Sequence, residues 1–210
     1  MQQKSQALQL LETFSNYVQN HFNTSIKVLR IDNALEFDSQ QRQDFFGRLG
    51  IIHQTTCVDK LQQNGVAERK HRDLLEMARA LRLQATLPLY FWGHCILTAT
   101  HLINKLPTPV LGNLTPYEAL LQKRPDYSML RVFGCLAFAA NPDRIRDKLY
   151  PKGVPCVFLG YPQSQKGYKL LNLLTHKMFV SQDVTFVEHI FPYSPYSYAQ
   201  CMQPIPSVQS

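Results

Sequence analysis

The chain has 210 residues, of which 45% are hydrophobic and 18% charged, so it can bury the core of one or two domains. Its formal net charge of +7 favours a polyanionic partner. Its five scattered cysteines argue against a disulfide framework or a zinc site and predict reduced, mostly buried thiols. The polar start and the short apolar stretches argue against a signal peptide and a membrane span, so we expect a soluble intracellular protein.

The first predicted elements are a helix and a strand. Residues 5–22 carry apolar side chains at helical spacing on one face, which predicts an amphipathic helix. The run 26–31 alternates at period two and predicts a strand that ends at Asp32-Asn33. An acid at the carboxyl end of a strand lies where open α/β sheets place their chemistry. The alternative is an ordinary turn formed by Asp32-Asn33.

A second helix and a second strand follow. Ser39 is a candidate cap for a short helix over 40–48. Residues 51–55 predict a strand that carries His53, for which a satisfied structural role is favoured over a functional one. A polar loop over 56–63 then leads into the next helix.

The stretch 64–85 predicts a long helix with an acid in its first turn and bases directly after it. On a helical wheel of about 100° per residue, Glu68 lies at the edge of the apolar stripe formed by Ala67, Leu74, Ala78 and Leu81. The side of Glu68 also carries Arg72, Arg79 and Arg82. This pattern suits a carboxylate that holds a cation while arginines hold phosphates. The alternative is a solvated face with ion pairs such as Glu68–Arg72.

The second half of the chain predicts a helix and then strands. Leu87-Pro88 starts a new element, and residues 90–104 are apolar on several faces and predict a largely buried helix. Thr115 followed by Pro116 and Glu118 predicts a capped helix start. Short apolar or alternating runs separated by turns predict a small barrel, with strands over 130–139, 155–161, 168–172 and 177–186.

The two acids Asp32 and Glu68 have 35 residues between them, one ending a strand and one opening a helix. If the helix packs beside the end of the strand, both carboxylates reach one point. Hard divalent cations take oxygen ligands of this kind. A pair of such metals roughly 3.5–4 Å apart activates a hydroxyl and stabilises the leaving oxygen at phosphorus.

Several motifs surround these acids and continue in a fixed order along the chain. They are LRIDNALEF (29–37), GIIHQ (50–54), QQNGVAERKHR (62–72), LPLYFWGHCILTATHLINKLP (87–107), TPYEAL (115–120), LRVFGCLAF (130–138), CVFLGYP (156–162), KGYKL (166–170) and VSQDVTFVE (180–188). Together they resemble the integrase region of copia-type LTR retrotransposon polyproteins, from about residue 3 to 193. The spacing of Asp32 and Glu68 is the one that characterises this family.

The resemblance implies an α/β (α+β) fold, with a truncated RNase H-like integrase core followed by a small SH3-like β-barrel. The implied domains are a partial catalytic core over 1–110, a connecting helix and linker over 111–129, the barrel over 130–190 and a disordered tail over 191–210.

The resemblance also implies an activity, namely 3′-end processing and strand transfer of element DNA into a target on Mg²⁺ or Mn²⁺. Asp32 and Glu68 are the implied catalytic residues and metal ligands. The residues implied to lie near DNA are Asn64, Arg69, Lys70, Arg72 and Arg79. The implied partners are element-end and target DNA and other copies of the chain, without a membrane. The implied location is the nucleus or a cytoplasmic particle.

The chain also departs from the family pattern. The family uses a further carboxylate on an upstream strand, and before Asp32 this chain has only Glu12, inside the first predicted helix. We therefore expect the isolated chain to hold metal poorly and to catalyse little or nothing. Ala34-Leu35 and Lys60-Leu61 replace the two glycines and the Thr-Pro that the family usually has. The resemblance also implies that the first three strands of the family's core are missing. Without them we expect the predicted strand 26–31 to have an unpaired apolar edge.

Three functions remain open from the sequence. The first is an integrase-derived fragment that keeps the fold but not an intact active site. The second is a nucleic-acid-binding module without catalysis, held to phosphates by the basic helix edge and the basic barrel. The third is a structural or interaction remnant.

Overall fold

A computed structural model describes residues 7–31, 39–55, 65–140 and 153–195. These ranges contain both helices and sheets, as the sequence predicted. Five helices run over Ala7–Phe22 (α1), Ser39–Leu49 (α2), Gly65–Gln84 (α3), Trp92–Ile103 (α4) and Pro116–Leu121 (α5). Seven strands run over Val28–Ile31 (β1), Ile52–Thr55 (β2), Leu136–Ala140 (β3), Gly153–Phe158 (β4), Tyr168–Asn172 (β5), Met178–Ser181 (β6) and Val184–Val187 (β7).

The chain divides into two compact units, residues 1–71 and 72–210. The domain limits predicted near 110 and 130 fall within the second unit and remain a prediction. The predicted tail begins with residues 191–195, which are described, and continues outside the described residues.

In the first unit, α1 and α2 cover one face of a parallel pair of strands, β1 and β2. Phe45, Phe46 and Ile51 are buried at its centre, because the helical spacing of α2 places both phenylalanines on the inner face. His53 stacks on Phe46 with ring centroids 4.7 Å apart and planes at 5°. Its Nε2 is buried and has no hydrogen-bond partner among the described residues. The structural role predicted for this histidine is therefore met by stacking and not by a hydrogen bond at Nε2.

The first unit also exposes apolar surface. On α1, Leu10 and Phe14 are each 54% exposed, and on the strands Val28 and Ile52 lie opposite each other with large exposed fractions. Among the described residues β1 pairs only with β2. The unpaired strand edge expected from the sequence is thus present in the described part of the chain.

In the second unit, five antiparallel strands form a sheet in the order β6-β5-β4-β3-β7. The strands β6 and β7 lie at opposite edges, although only Gln182 and Asp183 separate them in sequence. Three residue steps span at most about 11 Å, so the two edges must approach and the sheet must curl. The prediction of a single strand over 177–186 is therefore wrong. This stretch is divided between the two edge strands β6 and β7. The predicted strand 130–139 is also shorter than expected and begins at Leu136.

The central strands β4 and β5 of the curled sheet are buried on both faces. One face encloses an inner core that contains Cys156, Phe158 and Leu170. Because side chains alternate along a strand, the neighbouring Val157 and Leu171 point the other way and pack with residues of α3 and α4. The core of the second unit is therefore shared between the helices and the sheet.

The helix α4 is less buried than its sequence predicts. Cys95, Thr98 and Ala99 are buried against the sheet, whereas Trp92 is 60% and Leu97 46% exposed. The prediction of a largely buried helix is wrong for this outer face. A capping box at Thr115 and Glu118 starts α5 as predicted, with hydrogen bonds of 3.0 and 2.9 Å in the two directions.

The cysteines of the described residues are free and buried, at Cys95, Cys135 and Cys156. Burial raises the pKa of Cys135 to about 12 and that of Cys156 to about 11. Thiols of this kind are unreactive because the thiolate is the reactive species. The prediction of reduced buried thiols is confirmed for these three, and Cys57 and Cys201 lie outside the described residues.

His101 gives the second unit a predicted pH dependence. Its ring stacks on Tyr161 at 4.1 Å, and burial together with nearby Lys105 lowers its pKa from 6.5 to about 4. The unfolded chain therefore takes up this proton at a higher pH than the folded protein does. The contribution of neutral His101 to the stability of the folded protein is present above about pH 6.5 and is lost as the pH falls towards 4.

The measurement is thermal unfolding at a series of pH values between 7.5 and 4. His101→Phe keeps an aromatic ring beside Tyr161 but cannot take up a proton. We expect the melting temperature of this variant to fall less between pH 7 and pH 4.5 than that of the wild type. Equal pH dependence in the two proteins would show that His101 does not titrate in this way.

Candidate nucleic-acid interface

The helix α3 carries most of the residues that the sequence singled out. It begins at Gly65 and ends at Gln84, which confirms the helix predicted over 64–85. Leu74, Met77, Ala78 and Leu81 pack towards the shared core of the second unit. Ala67 is exposed, so the apolar stripe of the helix starts one turn or more later than predicted.

Glu68 lies in the first turn of α3 and its side chain is exposed. A carboxylate in this position is stabilised by the positive end of the helix dipole. Within the described residues Glu68 has no ion-pair or hydrogen-bond partner. The carboxylate is therefore free of the salt bridge to Arg72 that the alternative interpretation predicted.

The predicted DNA-contacting bases on α3 are all exposed, at Arg69, Lys70, Arg72 and Arg79. They have no carboxylate partner among the described residues. Their side chains are available to anions in solvent, which is the state that phosphate contacts require. Arg82 differs from them, because its Nη1 donates a hydrogen bond of 3.1 Å to the carbonyl oxygen of Leu87 and so anchors the turn after the helix.

Two of the predicted site residues, Asp32 and Asn64, lie outside the described residues. Asp32 directly follows the last residue of β1, where the sequence predicted the end of a strand. Whether its carboxylate reaches Glu68 stays a prediction. Among the described residues no group of three His, Cys, Asp or Glu side chains comes together in a way that could hold a metal ion. These residues therefore do not form a metal site by themselves.

Sequence reasoning missed the exposed apolar side chains beside α3. Leu89 and Trp92 are 70% and 60% exposed, and Trp92 lies in the helix that was predicted to be largely buried. The signal in the sequence was the position of these side chains directly after Pro88, at the start of an element, where a residue is covered by fewer neighbours than in the middle of a helix.

The comparisons with known proteins agree with the motifs. The chain is 37% identical over 196 residues to the Retrovirus-related Pol polyprotein from transposon RE1 of Arabidopsis thaliana, which covers 93% of the chain. It is 38% identical over 185 residues, or 88% of the chain, to the corresponding polyprotein from transposon TNT 1-94 of Nicotiana tabacum. Residues 135–198 match the family model described as Retroviral polymerase SH3-like domain.

The chain is related to retrotransposon Pol polyproteins. This confirms the resemblance inferred from the motifs, and the family-model match confirms the SH3-like assignment of the C-terminal strands. The chain spans 13% of the RE1 polyprotein and 14% of the TNT 1-94 polyprotein, so it corresponds to a small part of each.

Solved structures similar to the chain include the catalytic core domain of BIV integrase. That match has 27% sequence identity and a TM-score of 0.41, and it covers 58% of this chain and 74% of that one. A simian T-cell lymphotropic virus intasome, solved in complex with PP2A regulatory subunit B56 gamma, matches with 17% identity and a TM-score of 0.44 over 89% of this chain and 65% of that one. In the described part of the chain, each helix is too short or too polar to pass through a bilayer.

Proposed function

We propose that the chain is the part of a copia-type retrotransposon integrase that holds DNA along α3. The observation that supports this most is the 37% identity to a transposon Pol polyprotein over 196 residues, which includes the run QQNGVAERKHR at the start of α3. The exposed bases Arg69, Lys70 and Arg72 on that helix have no carboxylate partner among the described residues, which suits contacts with phosphates. Element-end and target DNA are the proposed partners, with self-association and a nuclear or particle location as further parts of the proposal.

The proposed chemistry is strand transfer of DNA on Mg²⁺ or Mn²⁺, to which this chain contributes Asp32 and Glu68. The exposed carboxylate of Glu68 is compatible with a ligand role, since it has no competing partner among the described residues. The family pattern uses a further carboxylate beside these two, and the only acid before Asp32 in this chain is Glu12, which lies within α1. We propose that the 210-residue chain binds DNA but does not catalyse strand transfer alone.

The second candidate is a nucleic-acid-binding module whose carboxylates have no role. The exposed bases on α3 favour this candidate as much as the first, because phosphate contacts need no catalytic acid. The third possibility, a remnant without biochemical function, predicts no saturable DNA binding.

Replacing both carboxylates separates these functions. Asp32→Asn and Glu68→Gln in one variant remove two negative charges close to the proposed DNA path. We expect the affinity for a fluorescein-labelled duplex, measured by fluorescence anisotropy without metal, to stay the same or rise up to about 10-fold. We expect no strand-transfer product from either protein in a gel assay with Mg²⁺ or Mn²⁺.

Two results would contradict the proposal. A strand-transfer product from the wild-type chain, lost in the variant, would show that the chain is an active enzyme. Absence of saturable DNA binding by the wild type at low salt would refute both DNA-binding candidates. Stronger DNA binding by the wild type on addition of Mg²⁺, absent in the variant, would show that Asp32 and Glu68 hold the cation together.

A further inference from the structure

A groove between α3 and α4 is an unassigned surface of the second unit. Its floor is formed by Ala78 and Cys95, which are 6% and 1% exposed. Leu75, Leu89 and Trp92 are among the apolar residues of its walls, and Arg79 and Arg82 complete the lining. The groove has a volume of about 460 Å³, within the range of roughly 300–1,000 Å³ that is typical of binding clefts.

Several apolar side chains in the walls of the groove are exposed to solvent. Leu89 and Trp92 are 70% and 60% exposed, and Leu75 is 38% exposed. Covering such side chains removes apolar surface from water, which favours association. Tryptophan in particular is enriched in the centres of protein interfaces. The walls therefore favour an apolar occupant that covers them.

The charges at the groove have one sign. Arg79 is exposed and has no ion-pair partner among the described residues, and no acidic residue lines the groove. Arg82 is held by its Nη1 hydrogen bond to the carbonyl oxygen of Leu87, which leaves its other N–H groups available. An occupant with carboxylates beside its apolar side chains would meet both guanidinium groups, and a bidentate contact is the preferred geometry of such pairs.

The length of the groove fits a short helix. From Leu75 to Leu83 the α3 wall extends about 12 Å, at 1.5 Å per residue. A helix that presents apolar side chains at positions i, i+4 and i+7 covers about 10.5 Å. A nucleic acid fits less well, because most of the wall is aliphatic, at Leu75, Leu83, Leu89 and Ile96, and aliphatic side chains favour apolar groups over sugars and phosphates.

We propose that the α3–α4 groove binds an acidic amphipathic helix of a partner protein. Its apolar side chains lie against Leu89 and Trp92, and its carboxylates contact Arg79 and Arg82. Arg79 then serves this groove and is not part of the DNA-contacting set. The proposal is independent of strand transfer and of DNA binding by the start of α3.

The test uses the fact that Trp92 is the only tryptophan of the chain. The probe is a tryptophan-free peptide of about 15 residues, roughly four helical turns, with Leu, Phe and Leu at i, i+4 and i+7 and Glu at the flanking positions. Titrated into the full chain, it is expected to shift the emission of Trp92 to shorter wavelength with saturation. The same peptide with Lys in place of Glu is expected to bind at least about 10-fold more weakly.

Variants of exposed residues complete the test. We expect Arg79→Glu to weaken binding of the Glu peptide by about 10-fold or more, because it replaces an attraction with a repulsion. Lys123→Glu makes the same charge change at an exposed position outside the groove and is expected to leave the affinity within about 2-fold. Circular dichroism confirms that both variants keep their helices.

Three results would overturn the proposal. They are equal affinity for the Glu and Lys peptides, unchanged affinity in Arg79→Glu, or no change of Trp92 emission with either peptide. A DNA duplex that shifts the emission of Trp92 and displaces the Glu peptide would assign the groove to nucleic acid and would overturn it as well. The Arg69→Gln/Arg72→Gln variant described below is expected to lose DNA affinity but not peptide affinity, so the two functions can fail separately.

Discussion

Replacing Gly134 with alanine is expected to lower the free energy of unfolding by about 3 kcal/mol. Gly134 has a φ of +79°, a conformation that costs an L-residue roughly 1–2 kcal/mol. A Cβ added there would also overlap the Cβ of Ala85 and come within 3.6 Å of Leu87 Cδ1. Ala85 is completely buried, and overpacking of a buried contact typically costs about 1–3 kcal/mol.

Neither side of this contact can move away easily. The amide of Gly134 donates a hydrogen bond of 2.8 Å to the carbonyl oxygen of Phe158, which attaches it to the sheet. The amide of Ala85 donates to the carbonyl oxygen of Leu81 at 3.2 Å, and that of Leu87 to Arg82 at 3.0 Å. The overlap therefore falls where the turn after α3 meets the sheet, at the centre of the shared core.

A matched control separates strain from overlap. Gly112 has a similar φ of +63°, but a Cβ added there meets no atom within 4 Å. Gly112→Ala is expected to cost only about 1 kcal/mol. Urea unfolding followed by circular dichroism measures both variants. Adding Ala85→Gly to the Gly134 variant is expected to restore at least about 1 kcal/mol, as a positive coupling in a double-mutant cycle.

Equal losses for the Gly112 and Gly134 variants would show that the backbone conformation alone accounts for the effect. Absence of coupling with Ala85→Gly would show that the turn after α3 does not touch Gly134 in solution. Either result would contradict the close packing of helix and sheet in the second unit.

The periodicity of apolar residues was sufficient to predict the helices of this chain. α1, α2 and α3 begin and end within two residues of the predicted limits, because each has one apolar face and a polar or glycine-bearing segment at its ends. The same reasoning failed at 177–186, where two apolar stretches on either side of Ser181, Gln182 and Asp183 were joined into one predicted strand. Pairing of β6 with β5 and of β7 with β3 divides that run, and such pairing is a tertiary property.

The burial of α4 shows a second limit of sequence reasoning. A helix with apolar residues on several faces can be covered all round or can leave one face for solvent, and composition does not distinguish the two. Here Cys95, Thr98 and Ala99 are buried, whereas Trp92 and Leu97 remain exposed. The exposed Trp92 and the groove beside it depend on the position of α3, which no local pattern encodes.

The candidate site was predictable as a set of residue types on one helix. The sequence placed Glu68, Arg69, Lys70, Arg72 and Arg79 on α3, and the structure exposes all of their side chains. Whether the carboxylates of Asp32 and Glu68 come together could not be predicted in the same way. It depends on how the loop before the helix positions that helix beside the strand. Hydrophobic patterns fix the faces of elements but carry little information about such loops.

Neutralising two bases on α3 is expected to weaken DNA binding by about 50-fold at 0.1 M salt. Each phosphate contact releases a counterion and contributes about 0.9 to the slope of log K against log salt, or about 0.9 log units of affinity at 0.1 M. Arg69 and Arg72 are exposed near the start of α3, close in sequence to Glu68. Glutamine has nearly the helix propensity of arginine, so Arg69→Gln/Arg72→Gln should keep the helix.

The matched control is Lys123→Gln/Arg124→Gln, which removes the same charge from exposed residues after α5. Binding of a fluorescein-labelled duplex is measured by anisotropy over a series of salt concentrations. We expect the slope of log K against log salt to flatten by about 1.8 for the α3 variant and by less than about 0.5 for the control. A protein bound only through its overall charge of +7 would show the same change in both variants, because the two differ in the position of the charge and not in its amount. The same change of slope in the two variants would therefore refute α3 as the interface. A larger change in the α3 variant than in the control would place the phosphates beside Arg69 and Arg72.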